Sequence, residues 1–104
     1  MSFQQYTPDR AKIFLQSTQA IVLDIRDEGS YKIGHIPGAE HMTMQKIENF
    51  CEIISKETPI LVCCYHGISS QSVAQYLVTK GFATVISLVG GYEAWKNLNT
   101  SLDE

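Results

Sequence analysis

The segment 64–70, CYHGISS, places a thiol, a glycine and two hydroxyl side chains in one short stretch. A strand-like apolar run, PILVC (59–63), ends just before it, and a helical pattern opens on its two serines. The backbone N–H groups of such a loop can turn toward one centre, where the first turn of the helix adds unpaired donors and partial positive charge. The donors in question belong to Tyr65, His66, Gly67, Ile68, Ser69 and Ser70. This arrangement favours an anion, and the nearest potential anion is the thiolate of Cys64.

An activated thiolate in an anion-binding loop can attack an electrophilic sulfur or phosphorus atom. The alternative is that Cys64 is a small apolar residue in an ordinary strand–turn–helix connection, and the loop by itself leaves both open. Cys63 still belongs to the strand and is expected to point the opposite way, into the core. Cys51 falls on an apolar helical stripe and is also expected in the core.

A metal site is the alternative to a reactive thiol. Cys63, Cys64 and His66 lie close together in sequence, but the pattern C-C-x-H is not a zinc spacing, and no second CxxC or HxxxH appears. His35 and His41, upstream, do not complete one. The sequence therefore predicts no bound metal.

The elements that must hold this loop alternate between strands and helices. Strands are predicted over 20–25, around Glu40–Thr43, over 59–63 and over 83–89. Thr7 can cap a helix and Pro8 suits its first position, so a helix is predicted to start there. Further helices are predicted over about 44–55, about 70–80 and 92–98. The stretch 27–39 is predicted to be a turn or short helix followed by a loop. Gly81 is expected to close the fourth helix, and Gly90-Gly91 to form a turn. The rhythm predicts an α/β fold with a mostly parallel sheet and helices on both faces.

Ligands of such sheets bind beyond the carboxyl ends of the strands. Asp24 and Arg26, the loop 64–70 and Gly90-Gly91 all fall at strand ends of that kind. Asp24 and Arg26 are expected to support the site, through a local ion pair or backbone hydrogen bonds rather than through chemistry.

Composition narrows the class of protein. The 104 residues carry a net charge of −3, with no run of Lys or Arg, which argues against nucleic acid or an anionic membrane surface. The start, MSFQQYTPDR, lacks the apolar region of a secretory signal, and the longest apolar run is far too short for a membrane span. Three cysteines without a disulfide spacing indicate a reducing compartment, so we expect a cytoplasmic protein. One core accounts for the apolar side chains, so we expect a monomer. A single domain over 1–104, with its core at about 17–100, is predicted.

Four motifs together carry a resemblance: LDIRD (23–27), GHIPGA (34–39), CYHGISS (64–70) and GGYEAW (90–95). In this order they resemble the rhodanese family of sulfurtransferases, in particular its short single-domain thiosulfate sulfurtransferases. The resemblance implies a three-layer fold around a central, mostly parallel sheet of five strands. It also implies that Cys64 takes sulfur from thiosulfate as a persulfide and passes it to cyanide, a small thiol or a thioredoxin-like dithiol, with no cofactor.

The loop departs from many family members in one respect, because Tyr65–Ser70 contains no Arg or Lys. Anion capture is then expected to rest on backbone donors, on His66 and on basic residues elsewhere, such as Arg26 or Lys32. The same residues are compatible with three other functions: a persulfide carrier fed by a protein donor, a non-catalytic binding module, and a phosphatase. The phosphatase signature Cys-x5-Arg requires an arginine where this chain has Ser70.

Overall fold

The protein is described by a computed structural model covering residues 2–102, with side chains described over 2–98. Strands and helices alternate along these residues. The strands are β1 (Gln4–Tyr6), β2 (Ile21–Asp24), β3 (Glu40–His41), β4 (Ile60–Cys63) and β5 (Val85–Leu88). The helices are α1 (Pro8–Ser17), α2 (Glu28–Ile33), α3 (Met44–Ile53), α4 (Ser69–Thr79) and α5 (Gly91–Leu102).

The five strands form one sheet in the order β1-β5-β4-β2-β3, and every neighbouring pair is parallel. Strands β2, β4 and β5 are interior and almost continuously apolar, as expected for strands that are buried on both faces. The predicted α/β fold, with a five-stranded sheet between two helical layers, is confirmed. No helix within the described residues is both long and apolar enough to cross a bilayer.

Side chains alternate between two cores, one on each face of the sheet. Leu23, Ile60, Val62 and Val85 pack against residues of α3 and α4. Their neighbours along the strands pack on the opposite face with residues of α1 and α5, and these neighbours are Val22, Leu61, Cys63, Ile86 and Leu88. The expected burial of Cys51 and Cys63 is observed, and Cys63 lies in the second core.

Strand β1 was not predicted. Its sequence, QQY, shows no alternation of apolar and polar residues. The strand lies at the edge of the sheet, and of its three side chains only that of Tyr6 is half-buried. It exists because its backbone pairs with β5, between Gln4 and Ile86 and between Tyr6 and Leu88. A strand made by backbone pairing with a distant partner leaves little trace in its own side chains.

Helix ends follow local chemistry in most cases. Asp27 and Thr43 cap α2 and α3 by accepting hydrogen bonds from the amides of Ser30 and Lys46, at 3.0 and 3.3 Å. Thr7 occupies the N-cap position of α1, but the expectation that it caps was wrong, because its hydroxyl donates to Asp9 instead (2.6 Å). At the end of α4, Gly81 adopts the left-handed region (φ +100°) and closes the helix as predicted.

Candidate active site

Cys64 is the first residue after β4, and α4 begins at Ser69, so a loop of five residues joins the two elements. The thiol is buried, with 3% of the residue exposed. Its Sγ atom accepts hydrogen bonds from the amides of Gly67 (3.1 Å) and Ser70 (3.3 Å). The second donor belongs to the first turn of α4, where amides have no partner within the helix. The sulfur therefore accepts a hydrogen bond that a helix-capping side chain would otherwise accept.

The two serines on which the helical pattern opens are the first two residues of α4. The N-cap residue is Ile68, which has no side-chain acceptor, and Ser69 and Ser70 are already helical. Ser70 does not cap the helix; its hydroxyl lies 2.7 Å from the hydroxyl of Ser87 on β5, and both serines are fully buried.

The loop turns at Gly67, which has a φ of +87°. A Cβ at this position would lie 2.6 Å from the amide nitrogen of Gly90. Only glycine fits this approach, because L side chains are strained at such a φ and the space belongs to another backbone segment. The sharp turn is what points the Gly67 amide back at the sulfur.

The outer side of the loop rests on the start of α5. The amide of Tyr92 donates to the Cys64 carbonyl (2.8 Å), and that of Glu93 donates to the Tyr65 carbonyl (3.3 Å). These two amides lie in the first turn of α5, where they have no partner within the helix, and they hold the carbonyls of Cys64 and Tyr65 toward α5. The hydroxyl of Tyr65 accepts a hydrogen bond from the amide of Asp27 (3.3 Å), which ties the loop to α2 as well.

These contacts set the ionisation of the thiol. Burial raises the pKa of Cys64, but hydrogen bonds from the hydroxyl and amide of Ser70 and from the amides of Gly67 and His66 outweigh burial and bring the pKa below the usual thiol value. Burial raises the pKa of both other cysteines, Cys51 and Cys63. Cys64 is therefore the one of these three cysteines whose pKa is lowered.

The lowered pKa predicts how alkylation of Cys64 depends on pH. The thiolate is the reacting form, so the rate rises with pH and levels off above the pKa. We expect Cys64 to level off at a lower pH than free cysteine, whose pKa is about 8.5. Iodoacetamide labelling of the Cys64 peptide, followed by mass spectrometry across this range, measures the profile. A midpoint at or above that of free cysteine would contradict the expectation.

An open cleft of about 230 Å³ lies over the loop and is lined by Cys64, Tyr65, His66, Ile68 and Ser69. The His66 side chain is exposed and lies in this lining. Of the six predicted donors, the amides of Gly67 and Ser70 donate to Sγ, and the amide of His66 also contributes to lowering the pKa of the thiol. A small anion entering the cleft would meet the thiol at its base.

Asp24 and Arg26 lie at the end of β2 as a buried ion pair. The Arg26 guanidinium donates from Nη2 to Asp24 Oδ2 (2.7 Å) and from Nε to Asp24 Oδ1 (3.0 Å). The same Nη2 donates to the carbonyl of Gly34 (2.7 Å), and the guanidinium lies 4.1 Å from the centre of the Tyr92 ring. Arg26 thereby joins β2 to the end of α2 and the start of α5. These contacts are internal ones, and Lys32 is paired with Glu28 on the surface of α2.

The remaining histidines bond to the backbone. His35 Nδ1 lies 2.7 Å from the Tyr31 carbonyl, and His41 Nε2 lies 2.6 Å from that of Arg26. Over the part of the chain that the structure describes, no three His, Cys, Asp or Glu side chains are grouped as metal ligands would be.

Replacing Gly91 by alanine is predicted to displace the loop. A Cβ on Gly91 would lie 2.5 Å from the carbonyl oxygens of Cys64 and Tyr65, and its φ of +61° disfavours any side chain. A shift of about 1 Å at a nucleophile costs roughly a hundredfold in rate, so we expect a loss of that order in sulfur transfer. The assay is thiocyanate formation from thiosulfate and cyanide.

Gly81→Ala is the matched control for Gly91→Ala. Gly81 also has a positive φ (+100°), but its Cβ would meet no atom within 4 Å. This variant should lower the melting temperature yet keep the rate of the folded protein. Equal losses of rate in both variants would show that backbone strain, rather than contact with the loop, is responsible.

Comparison with known proteins agrees with this geometry. The model of the rhodanese-like domain family matches residues 7–98. A protein of Coxiella burnetii named thiosulfate sulfurtransferase GlpE is 46% identical over 96 residues, which cover 92% of this chain and 90% of the relative. A protein of the same name from Pseudomonas fluorescens is 45% identical over 94 residues, 90% of this chain and 85% of the relative.

Solved structures give the same fold. A rhodanese-like domain from Anabaena, determined by NMR, aligns with a TM-score of 0.80 at 28% identity and covers 90% of this chain and 74% of that chain. The crystal structure of a rhodanese-like domain protein from Staphylococcus aureus aligns with a TM-score of 0.77 at 26% identity, covering 89% and 91%. The chain belongs to the rhodanese-like family, which confirms the resemblance seen in the four motifs.

Two features of the site were not predicted from the sequence. Ser87 falls in the middle of an apolar strand, and its approach to Ser70 depends on how β5 packs beside α4. The bonds from α5 to the loop carbonyls join segments more than 25 residues apart. Ser87 itself was the available signal for the first feature: a hydroxyl in the middle of the predicted buried strand 83–89 needs a hydrogen-bond partner.

Proposed function

We propose that this protein is a thiosulfate sulfurtransferase that works through a persulfide on Cys64. The observation that supports this most directly is the buried sulfur of Cys64. It accepts hydrogen bonds from the amides of Gly67 and Ser70, and Cys64 lines an open cleft. The named activity of relatives at 44–46% identity supports the choice of thiosulfate as donor.

The first half of the proposed cycle loads the cysteine. The Cys64 thiolate attacks the outer sulfur of thiosulfate, a new S–S bond forms, and the old one breaks. Sulfite leaves with the electron pair of the broken bond. The negative charge then resides on the outer sulfur of the persulfide, within reach of the loop donors.

The second half returns the enzyme to its starting state. A nucleophilic acceptor attacks the outer sulfur, and the Cys64 thiolate leaves. Cyanide as acceptor gives thiocyanate; small thiols and thioredoxin-like dithiols are further proposed acceptors. The thiolate is the reacting form and the loop contacts lower the pKa of Cys64, so the proposed cycle assigns no proton abstraction to His66. Asp24 and Arg26 are assigned a supporting role, since their contacts hold the elements around the loop.

Intact-mass spectrometry tests the proposal. The protein is incubated with thiosulfate without reductant, its mass is measured before and after cyanide, and fragmentation of the peptide that carries both Cys63 and Cys64 locates the added sulfur. We expect a gain of one sulfur atom on Cys64 that cyanide removes. No gain with thiosulfate would exclude the simple enzyme; a gain only with a cysteine desulfurase as donor would indicate a carrier, and no gain with either would leave a binding module.

The loop composition predicts weak binding of thiosulfate. Residues 65–70 carry no Arg or Lys, Arg26 is engaged with Asp24 and Gly34, and Lys32 is paired with Glu28. Backbone donors then carry most of the attraction for a dianion, without a guanidinium to grip it. We expect a high KM for thiosulfate, measured from initial rates, and saturation in the low micromolar range would contradict this.

We further propose that the chain acts as one domain and as a monomer in the cytoplasm. All three cysteines are free, which suits a reducing compartment. A phosphatase is not favoured, because the position that should supply a guanidinium is Ser70, whose hydroxyl is turned toward Ser87.

A further inference from the structure

The side chain of Gln71 closes on the turn of the Cys64 loop. Gln71 lies in the first turn of α4 and is half-buried. Its Nε2 atom donates to the carbonyl of Gly67 (2.8 Å), and its backbone amide donates to the carbonyl of Ile68 (3.1 Å). A carbonyl oxygen can only accept, so the NH₂ group of the glutamine, and not its oxygen, faces Gly67. One residue thus holds two consecutive carbonyls where the loop enters the helix.

A carbonyl that is held in place also fixes the amide of the same peptide unit. In a planar trans peptide the N–H points away from the C=O of that unit. The unit with the Gly67 carbonyl carries the amide of Ile68, and the next unit carries the amide of Ser69. Because both carbonyls are bound by Gln71, both amides point away from Gln71.

The residues that carry these two amides line the cleft over Cys64. Ile68 and Ser69 belong to the lining of that cleft, whereas Gln71 lies outside it. Among the hydrogen bonds of residues 2–98, none is donated by the amide of Ile68 or by that of Ser69. Two donors are therefore available to an anion in the cleft, in addition to those that already bind the sulfur.

We propose that Gln71 is a positioning residue that presents the amides of Ile68 and Ser69 to an anion beside Cys64. The proposal rests on the function proposed above, in which that anion is first thiosulfate and then the outer sulfur of the persulfide. Gln71 acts through two peptide units and not on the sulfur itself. The support matters at this point of the loop because Gly67, with a φ of +87° and no Cβ, restrains its own backbone least.

The composition of the loop increases the expected effect. Residues 65–70 contain no Arg or Lys, so backbone donors supply most of the attraction for an anion in the cleft. A donor that is turned away from the anion is then not replaced by a nearby cation. Loss of the Gln71 contact should therefore weaken the interaction with negatively charged reagents more than that with neutral ones.

Two alkylating reagents of the same mechanism measure this difference. Iodoacetate and iodoacetamide both react with the Cys64 thiolate, but only iodoacetate carries a negative charge. The ratio of their labelling rates at one pH is therefore independent of the fraction of thiolate. Gln71→Met keeps the length and the helix propensity of the side chain and removes the donor. The ratio of iodoacetate to iodoacetamide labelling, read by mass spectrometry at Cys64, should fall by about two- to tenfold in this variant.

Gln75→Met is the matched control for Gln71→Met. Gln75 lies one turn further along α4 and is exposed, so the same change there should leave the ratio at its wild-type value. An unchanged ratio in Gln71→Met, or an equal fall in Gln75→Met, would overturn the proposal. In sulfur transfer, kcat/KM for thiosulfate should fall in Gln71→Met by a factor similar to that of the ratio. Labelling requires no sulfur transfer, so a wild-type protein that thiosulfate does not load would refute the proposed function, while the ratio would still decide the role of Gln71.

Discussion

Cys64→Ser is expected to reduce thiocyanate formation from thiosulfate and cyanide by roughly a thousandfold or more. The serine side chain is similar in size and can accept hydrogen bonds from the same amides of Gly67 and Ser70, so the loop should keep its shape. A hydroxyl cannot form a persulfide, however, and its pKa leaves almost none ionised near neutral pH. The substitution therefore removes the nucleophile while keeping its surroundings. Initial rates at saturating thiosulfate measure the loss.

Cys63→Ser is the matched control for Cys64→Ser. The two cysteines are adjacent and both are buried. Cys63, however, packs in the core on the face of the sheet that α1 and α5 cover, and burial raises its pKa. We expect the rate of this variant to stay within about threefold of wild type, although burying a hydroxyl among apolar side chains should reduce its stability. A Cys63 variant as inactive as the Cys64 variant would contradict the assignment of the nucleophile.

Asp24→Asn is expected to lower the free energy of unfolding by about 3–5 kcal/mol. Asp24 is fully buried and Arg26 is 6% exposed, so the neutral asparagine leaves an uncompensated guanidinium away from water. Asparagine keeps one acceptor oxygen but turns an NH₂ group toward Arg26, and the two-oxygen contact is lost. A loss of this size is a large part of the total stability of a small domain, about 5–15 kcal/mol. Urea denaturation monitored by Trp95 fluorescence measures it.

Two further variants show whether the effect of Asp24→Asn comes from the buried charge. Asp24→Asn combined with Arg26→Met removes the guanidinium as well and should recover part of the lost stability. Glu28→Gln breaks the exposed pair with Lys32, whose side chains are both about 70% exposed, and should leave stability unchanged within error. A double variant less stable than Asp24→Asn alone would mean that the Arg26 contacts to Gly34 and Tyr92 matter more than its charge.

The contacts of the loop explain why stability and reactivity are linked in this fold. Amides of α5 hold the carbonyls of Cys64 and Tyr65, and Arg26 lies over Tyr92 at the start of that helix. The amide of Gly67 donates to the sulfur while the carbonyls of Cys64 and Tyr65 are held by α5. A substitution that shifts α5 is therefore expected to change the thiol as well as the packing.

The sequence by itself determined those parts of the protein that depend on neighbours along the chain. The apolar run before Cys64 and the helix after it are local patterns, and together they place the thiol at a strand end facing a helix N-terminus. The turn at Gly67 follows from the same stretch. The interior strands were predictable because burial on both faces demands continuous apolar residues. The four motifs placed the chain in its family.

Only the tertiary structure decided what depends on distant partners. Strand β1 exists through backbone bonds to β5, and its own residues do not show it. Ser70, on which the helical pattern opens, turns its hydroxyl to Ser87, seventeen residues further along the chain. Gly91 reads as an ordinary turn until the carbonyls of Cys64 and Tyr65 are found where its Cβ would lie. Each of these contacts is set by the packing of separate elements, and side-chain periodicity within one segment carries no information about which remote backbone or hydroxyl will meet it.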